Sequence, residues 1–274
     1  MVGGSFRLAS IVLYGIVGLW SLFVLVPMAW MIFASFKTRR EIFTDPLGLP
    51  EGLEFASFEK AWGVGIGGFM LNSVVVTTLT VTLILLASGM AAYALARAQS
   101  PWMRLLYLAI VAGFAVPLNA VLVPLFQMIS AAGFLNSRFA LVLPYAAYGI
   151  PFTTILFYAF FLDFPRELEE AARLDNCSRM QTFFRVILPL SGPAIASAAI
   201  FQSVFIWNEF LLALLMLTQP AVKTLPVGIV QLQGEFTSDW PAVMAGLAIA
   251  TVPILLLFVF LQKYFVRSLA GLGK

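Results

Sequence analysis

The chain has 274 residues, of which 61% are hydrophobic, and only 16 Lys plus Arg and 13 Asp plus Glu carry charge. A soluble domain of this length could not present so apolar a composition to water, so the composition indicates a membrane protein. The absence of histidine and the single cysteine exclude histidine triads, histidine-ligated metal sites, disulfide frameworks and cysteine-rich zinc sites.

Long uncharged runs predict six transmembrane helices in a single integral domain over residues 1–274. A transmembrane helix needs about 20 apolar residues, and these runs lack the alternation of barrel strands. The expected fold class is therefore all-α integral membrane. The first run is too long for a signal-peptide core and should remain as an anchor. The predicted spans are 11–34, 70–96, 103–130, 138–161, 194–217 and 242–263.

Two segments between these spans hold most of the charge. Residues 37–60, after the first span, are rich in Pro and Gly and predict an irregular external loop. Residues 163–185, after the fourth span, are the more ordered segment. Both are expected to face water.

The distribution of Lys and Arg predicts the orientation. With both termini in the cytoplasm, ten basic residues lie inside and six outside, as the positive-inside rule favours. The cluster of Lys37, Arg39 and Arg40 just after the first span argues for the opposite orientation.

The segment between the fourth and fifth spans predicts a bent pair of short helices. Pro165 fits a first helical turn, with Glu167, Glu169 and Glu170 near the positive end of the helix dipole. Asn176 tolerates the left-handed conformation and can end this helix. A second helix is expected from Ser178 to about residue 186, before Pro189 forces a break. By its residues alone, this segment is either a docking element for another protein or an amphipathic loop that merely joins two spans.

Residues 163–189 of this segment, named below the coupling loop 163–189 after the resemblance that they carry, contain a spaced motif. Residues 170–172 read Glu-Ala-Ala, Asn176 follows after three intervening residues, and nine more residues separate it from Val186, Ile187, Leu188 and Pro189. This spacing resembles the EAA loop of ABC importer permeases, in which a glycine and an isoleucine stand where this chain has Asn176 and Val186. Both departures are physically mild, since Asn accepts positive φ.

The resemblance implies the transmembrane domain of an ABC type I importer, with a cytoplasmic coupling helix between helices 4 and 5. In that family the loop docks on a cytoplasmic ATPase subunit and passes ATP-driven movement to the membrane helices. Because a buried carboxylate needs a basic partner, Glu170 is expected to pair with an Arg or Lys of the ATPase. The coupling residues implied are Glu170, Ala171, Ala172, Asp175, Asn176 and Pro189.

Further motifs narrow the family. Residues 207–210 read WNEF, residues 225–246 read LPVGIVQLQGEFTSDWPAVMAG, and the chain ends in QKYFVRSLAGLGK. These stretches resemble sugar-type permeases, and the compact layout is most similar to the smaller maltose-permease subunit. Ser268 and the shortened terminus depart from the usual tail.

Glu209 is the one carboxylate well inside a predicted span, and a charge there is costly. Two interpretations stay open. Glu209 and the adjacent Asn208 belong to the solute pathway, or Glu209 packs with Asn208 or with a residue of a partner subunit.

The resemblance implies a permease subunit of an ATP-driven, binding-protein-dependent ABC importer, which forms half of the pathway for a sugar or related polar solute by alternating access. The implied partners are a second permease of a different chain, two ATPase subunits and an extracytoplasmic solute-binding protein. The implied location is a bacterial or archaeal inner membrane. No G-x-x-x-x-G-K-[ST] motif occurs, so ATP and Mg²⁺ are expected on the partner ATPase, with no cofactor, metal or catalytic residue in this chain and no nucleic-acid partner.

Other functions remain as alternatives. An importer of a non-carbohydrate solute such as glycerol phosphate fits the same motifs. A stand-alone secondary transporter would need intramembrane ionisable residues, of which Glu209 is the candidate. An intramembrane hydrolase is remote, because the chain has no histidine and no paired intramembrane carboxylates.

Overall fold

The chain is all-helical over the part that the structure describes. The computed structural model describes residues 3–98, 100–233 and 239–271, and it describes side chains over 10–98, 100–233 and 239–263. Within these ranges the regular elements are α-helices, short 3-10 turns and a π turn, with no β-strand. The predicted all-α fold class is confirmed. Residues 234–238 of the sugar-permease-like stretch and the last three residues of the tail lie outside the described ranges.

The helices follow one another with short connections. In chain order they are α1 (Gly3–Ser35), α2 (Arg39–Thr44), α3 (Ala56–Gly63), α4 (Ile66–Arg97), α5 (Pro101–Phe114), α6 (Leu122–Ala131), α7 (Phe139–Leu162), α8 (Glu167–Leu174), α9 (Arg179–Thr182), α10 (Leu188–Leu190), α11 (Gly192–Asn208), α12 (Leu211–Met216), α13 (Leu225–Ile229) and α14 (Trp240–Gly271). The 3-10 turns are Leu118–Val121, Pro220–Val222 and Val230–Leu232, and the π turn is Phe183–Ile187.

Four described helices are long and apolar enough to cross a membrane, and two bent helix pairs bring the number to six if each pair is one span. The four are α1, α4, α7 and α14, close to the first, second, fourth and sixth predicted spans. Each consists almost entirely of residues that favour the bilayer interior, which explains why composition alone located them.

The third predicted span, 103–130, is wrong as a continuous helix. α5 ends at Phe114, and α6 continues in a direction that differs by 86°. The backbone tightens at the end of α5, where Val116 N–H donates to the Gly113 carbonyl at 3.3 Å. Pro117 then adopts an extended conformation, φ −70° and ψ 133°, and has no N–H with which to continue the helix.

The fifth predicted span, 194–217, is also interrupted. α11 ends at Asn208, Glu209 is extended with φ −67° and ψ 131°, and α12 begins at Leu211. The predicted external loop 37–60 is more ordered than expected, because it contains α2 and α3. Thr38 and Glu41 form a reciprocal capping box at the start of α2.

One compact unit consists of Met1–Ile66 and Ile229–Thr251. In this unit, between α1 and α4, Lys37 is 1% exposed and donates to the Asp45 carbonyl at 2.7 Å. Lys60 pairs with Asp239 at 2.9 Å. Partial burial raises the pKa of Asp239, but hydrogen bonds from the Lys60 ammonium and the Ala242 N–H outweigh it and lower that pKa below its ordinary value.

The other compact unit consists of Gly67–Gly228 and Val252–Lys274, and it contains both candidate sites. One apolar cluster packs α4 and α7 against α11, α12 and α13, with Ile84, Leu141 and Leu212 fully buried. A second cluster packs α4 and α7 against the π turn and α11, around Phe157, Phe161 and Phe183. This second cluster includes Phe164, which lies near the start of the coupling loop 163–189.

Candidate functional site

The EAA motif lies on α8, an eight-residue helix with an acidic start. Glu167, Glu169 and Glu170 occupy its first turn, where their charge is stabilised by the helix dipole. The helix begins two residues after Pro165, which precedes the first turn and does not occupy it. Arg173 in the last turn complements the opposite end of the dipole.

α8 has one exposed face and one buried face. The outer face, defined by positions i, i+3, i+4 and i+7, carries Glu167, Glu170, Ala171 and Leu174, all exposed, and Leu174 is 85% exposed. The opposite face carries Glu169 and Ala172, which are each 5% exposed. The small Ala171 beside an apolar Leu174 leaves a shallow apolar surface next to the Glu170 carboxylate.

The end of α8 is a Schellman motif centred on Asn176. Asn176 has φ +58°, its N–H donates to the Arg173 carbonyl at 3.0 Å, and the Cys177 N–H donates to the Ala172 carbonyl at 3.0 Å. These are the two hydrogen bonds that close a helix through a left-handed residue. The prediction that Asn176 ends the helix in this conformation is confirmed, and the asparagine does here what a glycine would do.

The second helix of the coupling loop starts as predicted and ends later. Ser178 caps α9 in a capping box with Gln181. The helix then passes through the π turn and α10 and turns by 77° into α11 only after Leu190. The prediction that Pro189 breaks the helix is therefore wrong. The π turn just before it, with the Leu188 N–H bonded to the Phe183 carbonyl, widens the backbone and accommodates the proline ring.

The predicted coupling residues thus fall into three positions. Glu170, Ala171, Asp175 and Asn176 are exposed on α8 and its end, Ala172 is buried beneath them, and Pro189 is exposed on α10. The structure brings the first five together on one short helix and leaves Pro189 on the following segment. Their role in coupling stays a prediction.

The buried face of α8 forms an ion pair that the motif did not predict. Arg97, the last residue of α4, donates from Nε to Glu169 Oε1 at 2.6 Å. The same guanidinium donates to the carbonyls of Phe161 at 2.7 Å and Phe164 at 3.3 Å. Tyr93 Oη donates to Glu169 Oε2 at 3.0 Å. Both side chains of the pair are largely buried, at 18% and 6% exposure for Arg97 and Glu169.

The second candidate site is the interruption between α11 and α12. Glu209 accepts a hydrogen bond from the Tyr145 hydroxyl of α7. Its carboxylate also accepts the N–H groups of Leu212 at 2.8 Å and Ala213 at 3.2 Å, so it caps the start of α12. Asn208 is exposed and donates to the Val204 carbonyl of its own helix at 2.8 Å. Among the side chains that the structure describes, Tyr145 donates to Glu209 and Asn208 does not, while a pathway role for Glu209 or Asn208 stays a prediction.

Among the side chains that the structure describes, no group of three or more His, Cys, Asp or Glu is placed to hold a metal ion.

Comparison with known proteins decides the family. The family described as binding-protein-dependent transport system inner membrane component matches residues 84–271. The chain belongs to this family. As a member of it, the chain is a multi-pass inner-membrane protein, and the family resemblance seen in the sequence is confirmed.

Several relatives match along most of their length. The probable ABC transporter permease protein YurM of Bacillus subtilis is 38% identical over 89% of this chain and 82% of its own. The sulfoquinovosyl glycerol transport system permease protein SmoH of Agrobacterium fabrum is 39% identical over 91% of this chain and 88% of its own. The diacetylchitobiose uptake system permease protein NgcG of Streptomyces coelicolor is 36% identical over 92% of this chain and 84% of its own.

Solved structures share the fold of this inner-membrane component. A chain of a bacterial ABC transporter involved in the import of the acidic polysaccharide alginate superposes with a TM-score of 0.83 at 23% identity, over 97% of this chain and 99% of that one. A chain of an alginate transporter in complex with an alginate pentasaccharide-bound periplasmic protein gives a TM-score of 0.69 at 17% identity, over 96% of this chain and 94% of that one. The predicted fold of an ABC importer transmembrane domain is confirmed.

Proposed function

We propose that this chain is one permease subunit of an ATP-driven, binding-protein-dependent importer and forms half of the pathway for a carbohydrate or related polar solute by alternating access. The observation that carries the proposal is the outer face of α8, an acidic and apolar surface on a chain of this family. A helix with a fixed end and one exposed face is suited to insertion into a groove of another protein.

The carbohydrate class is supported by the relatives. The names of relatives that match at least nine tenths of this chain describe transport of sulfoquinovosyl glycerol, diacetylchitobiose and starch degradation products. All three are glycosides or oligosaccharides. We propose a solute of this class, delivered from outside by a binding protein to a pathway shared with a second, different permease chain.

The ATPase partner is proposed from α8. Glu170 is exposed beside Ala171 and Leu174, so a groove that receives Leu174 would also lie against the Glu170 carboxylate. We expect the groove to carry a basic residue there, which would pair with that carboxylate. ATP and Mg²⁺ would bind to that subunit, and this chain would take no part in the hydrolysis step. Two such ATPases would serve the two permeases.

The proposed orientation places both termini and α8 in the cytoplasm. Cys177, the one cysteine of the sequence, lies half-buried at the end of α8 and reports on this directly. A membrane-impermeant maleimide should label Cys177 in inside-out vesicles stripped of ATPase and should not label it in right-side-out vesicles. Labelling in right-side-out vesicles would overturn the orientation.

A stand-alone ion-coupled transporter gains no support from Glu209. Its carboxylate is occupied by Tyr145 and by the backbone N–H groups of Leu212 and Ala213. Such a carboxylate closes a helix end and has no need of a transported cation.

The test is reconstitution in nanodiscs with the ATPase, the second permease and the binding protein encoded beside this chain. Diacetylchitobiose, maltotriose, sulfoquinovosyl glycerol and an alginate trisaccharide are supplied in turn, and ATP hydrolysis is measured with and without loaded binding protein. We expect one sugar to stimulate hydrolysis, and Glu170→Lys to abolish ATPase binding.

Glu59→Lys is the matched control, because it makes the same charge change at an exposed position of α3. It should leave ATPase binding intact. The proposal fails if no ATPase co-assembles with the wild-type chain, or if Glu170→Lys retains stimulated hydrolysis.

A further inference from the structure

α8 is held to the rest of its unit through a narrow contact. Its outer face is exposed, and the two residues of its opposite face, Glu169 and Ala172, are the ones that are buried. Ala172 offers one methyl group, so Glu169 is the larger attachment. Besides the chain that continues from both of its ends, these two buried side chains are the route by which a displacement of the outer face reaches the membrane helices.

Arg97 joins three helices at this point. It ends α4, where a cation is favoured by the helix dipole. Two of its donors reach the carbonyl of Phe161, in the last turn of α7, and the carbonyl of Phe164, two residues beyond the end of that helix. A third donor takes Glu169 of α8. One guanidinium therefore fixes the end of α4, the end of α7 and the start of α8 relative to one another.

Tyr93 holds the second oxygen of the Glu169 carboxylate. Its hydroxyl donates to Oε2, while Arg97 donates to Oε1, so the carboxylate is held against rotation. Its ring packs against Phe161 and Phe183, with centroid separations of 6.0 and 5.4 Å. The guanidinium carbon of Arg97 lies 5.9 Å from the same ring. Both oxygens of Glu169 are thus held by groups that are themselves packed in place.

This arrangement fixes the orientation of α8 relative to α4 and α7 and adds little to the stability of the protein. A buried ion pair is often replaceable by apolar side chains of the same size at little cost in stability, because desolvation offsets the attraction. Apolar contacts would bury the same surface but would permit α8 to slide or turn. Charge-assisted hydrogen bonds to a locked carboxylate do not permit this.

We propose that Arg97 and Glu169 form a latch through which α8 moves the ends of α4 and α7, so that both are positioning residues for the coupling of ATP hydrolysis to transport. This inference rests on the proposed function. The latch acts within this chain and makes no contact with the ATPase.

The test measures sugar transported per ATP hydrolysed in the reconstituted complex, with the sugar that stimulates the wild type. Glu169→Gln should assemble with the ATPase and hydrolyse ATP within about twofold of wild type, while transport per ATP falls about fivefold or more, the lower range of measured coupling between sites. Tyr93→Phe keeps the ring and loses one hydrogen bond, and it should lower the ratio by less, about twofold. Hydrogen exchange over residues 167–176 should accelerate in the same order.

Arg97→Met separates coupling from folding. It leaves the buried Glu169 carboxylate without its cation and should lower the yield of assembled complex. The double variant Arg97→Met, Glu169→Gln removes that charge and should restore the yield without restoring transport per ATP. A role confined to stability would restore both.

Asp239→Asn is the control, because it breaks an exposed ion pair of this chain, with side-chain exposures of 64% and 36% for Lys60 and Asp239. It should leave transport per ATP unchanged. The latch is overturned if Glu169→Gln keeps the wild-type ratio, or if Asp239→Asn lowers the ratio as much. If the wild type shows no ATP-driven uptake at all, the proposed function fails and the latch fails with it.

Discussion

Replacement of Asn176 tests whether the end of α8 is held by its backbone conformation. Asn176 has φ +58° and an exposed side chain, so a substitution there changes the cost of that conformation and removes little packing. The left-handed region costs an ordinary L-residue about 1–2 kcal/mol, and a β-branched residue more. Asn176→Val therefore should raise the population of the opened helix end by roughly 5–30-fold.

The assay is hydrogen exchange of peptides that cover residues 172–178 in the nanodisc-embedded complex. The amides of Asn176 and Cys177 donate the two closing hydrogen bonds, so their exchange rates report opening directly. Asn176→Val should exchange roughly 5–30-fold faster there, and the exchange of α4 should not change. Asn176→Gly should exchange as slowly as the wild type, since glycine adopts positive φ without strain.

Equal exchange in the valine and glycine variants would refute the reasoning. It would mean that packing, and not the left-handed residue, holds the end of α8. The same pair of variants extends to function, where Asn176→Val should weaken ATPase binding in proportion to the lost population of the closed helix end and Asn176→Gly should not.

Three further predictions concern packing, charge and the intramembrane carboxylate. Gly149→Val should lower the melting temperature, with a cost of about 1–3 kcal/mol, because a Cβ there would lie 2.4 Å from an isoleucine methyl and 2.9 Å from a buried glutamine oxygen. Asp239→Asn should lower the stability by less than about 1 kcal/mol at neutral pH, since its ion pair is exposed and screened. Because the pKa of Asp239 is lowered by folding, this difference is complete above about pH 4 and disappears as the pH falls through the folded pKa. Tyr145→Phe should cost about 1–3 kcal/mol in thermal unfolding, because the carboxylate of the fifth span loses a buried donor.

Two of these predictions have a control variant within the chain. Gly68→Val places its Cβ in α4 where nothing lies within 4 Å, and it should not reproduce the loss seen at Gly149. Tyr148→Phe keeps the ring stacked on Phe205 and should leave the melting temperature near wild type. A loss at Tyr148 equal to that at Tyr145 would contradict the role given to the hydrogen bond. A difference for Asp239→Asn that persists below the folded pKa would contradict the ion-pair explanation.

The features that the sequence predicted correctly are local ones, which depend on residues close together in the chain. The four long spans follow from runs of apolar side chains, because lipid requires each such run to satisfy its own backbone as a helix. The end of α8 at Asn176 follows from one residue that accepts positive φ within a spaced motif. The acidic first turn of the same helix follows from the dipole.

The interruptions of the third and fifth spans were missed for a physical reason. Hydropathy reports whether a segment prefers lipid, and it does not report direction. Pro117 was compatible with a bend or with a continuous helix, as Pro144 and Pro151 within the unbroken α7 show. What decides between these outcomes is whether neighbouring helices and side chains satisfy the backbone groups that the proline frees.

The sequence by itself determined that this protein lies in a membrane, which runs are apolar enough to cross it, and that a short acidic helix ending at Asn176 stands between the fourth and fifth spans. Only the tertiary structure decided which glutamate of that helix is buried and which side chains bind it. Arg97 and Glu169 are 72 residues apart, and Tyr145 and Glu209 are 64 apart. Local propensity is set within a few residues, whereas such pairs form only when the packing of whole helices brings distant charges out of water together.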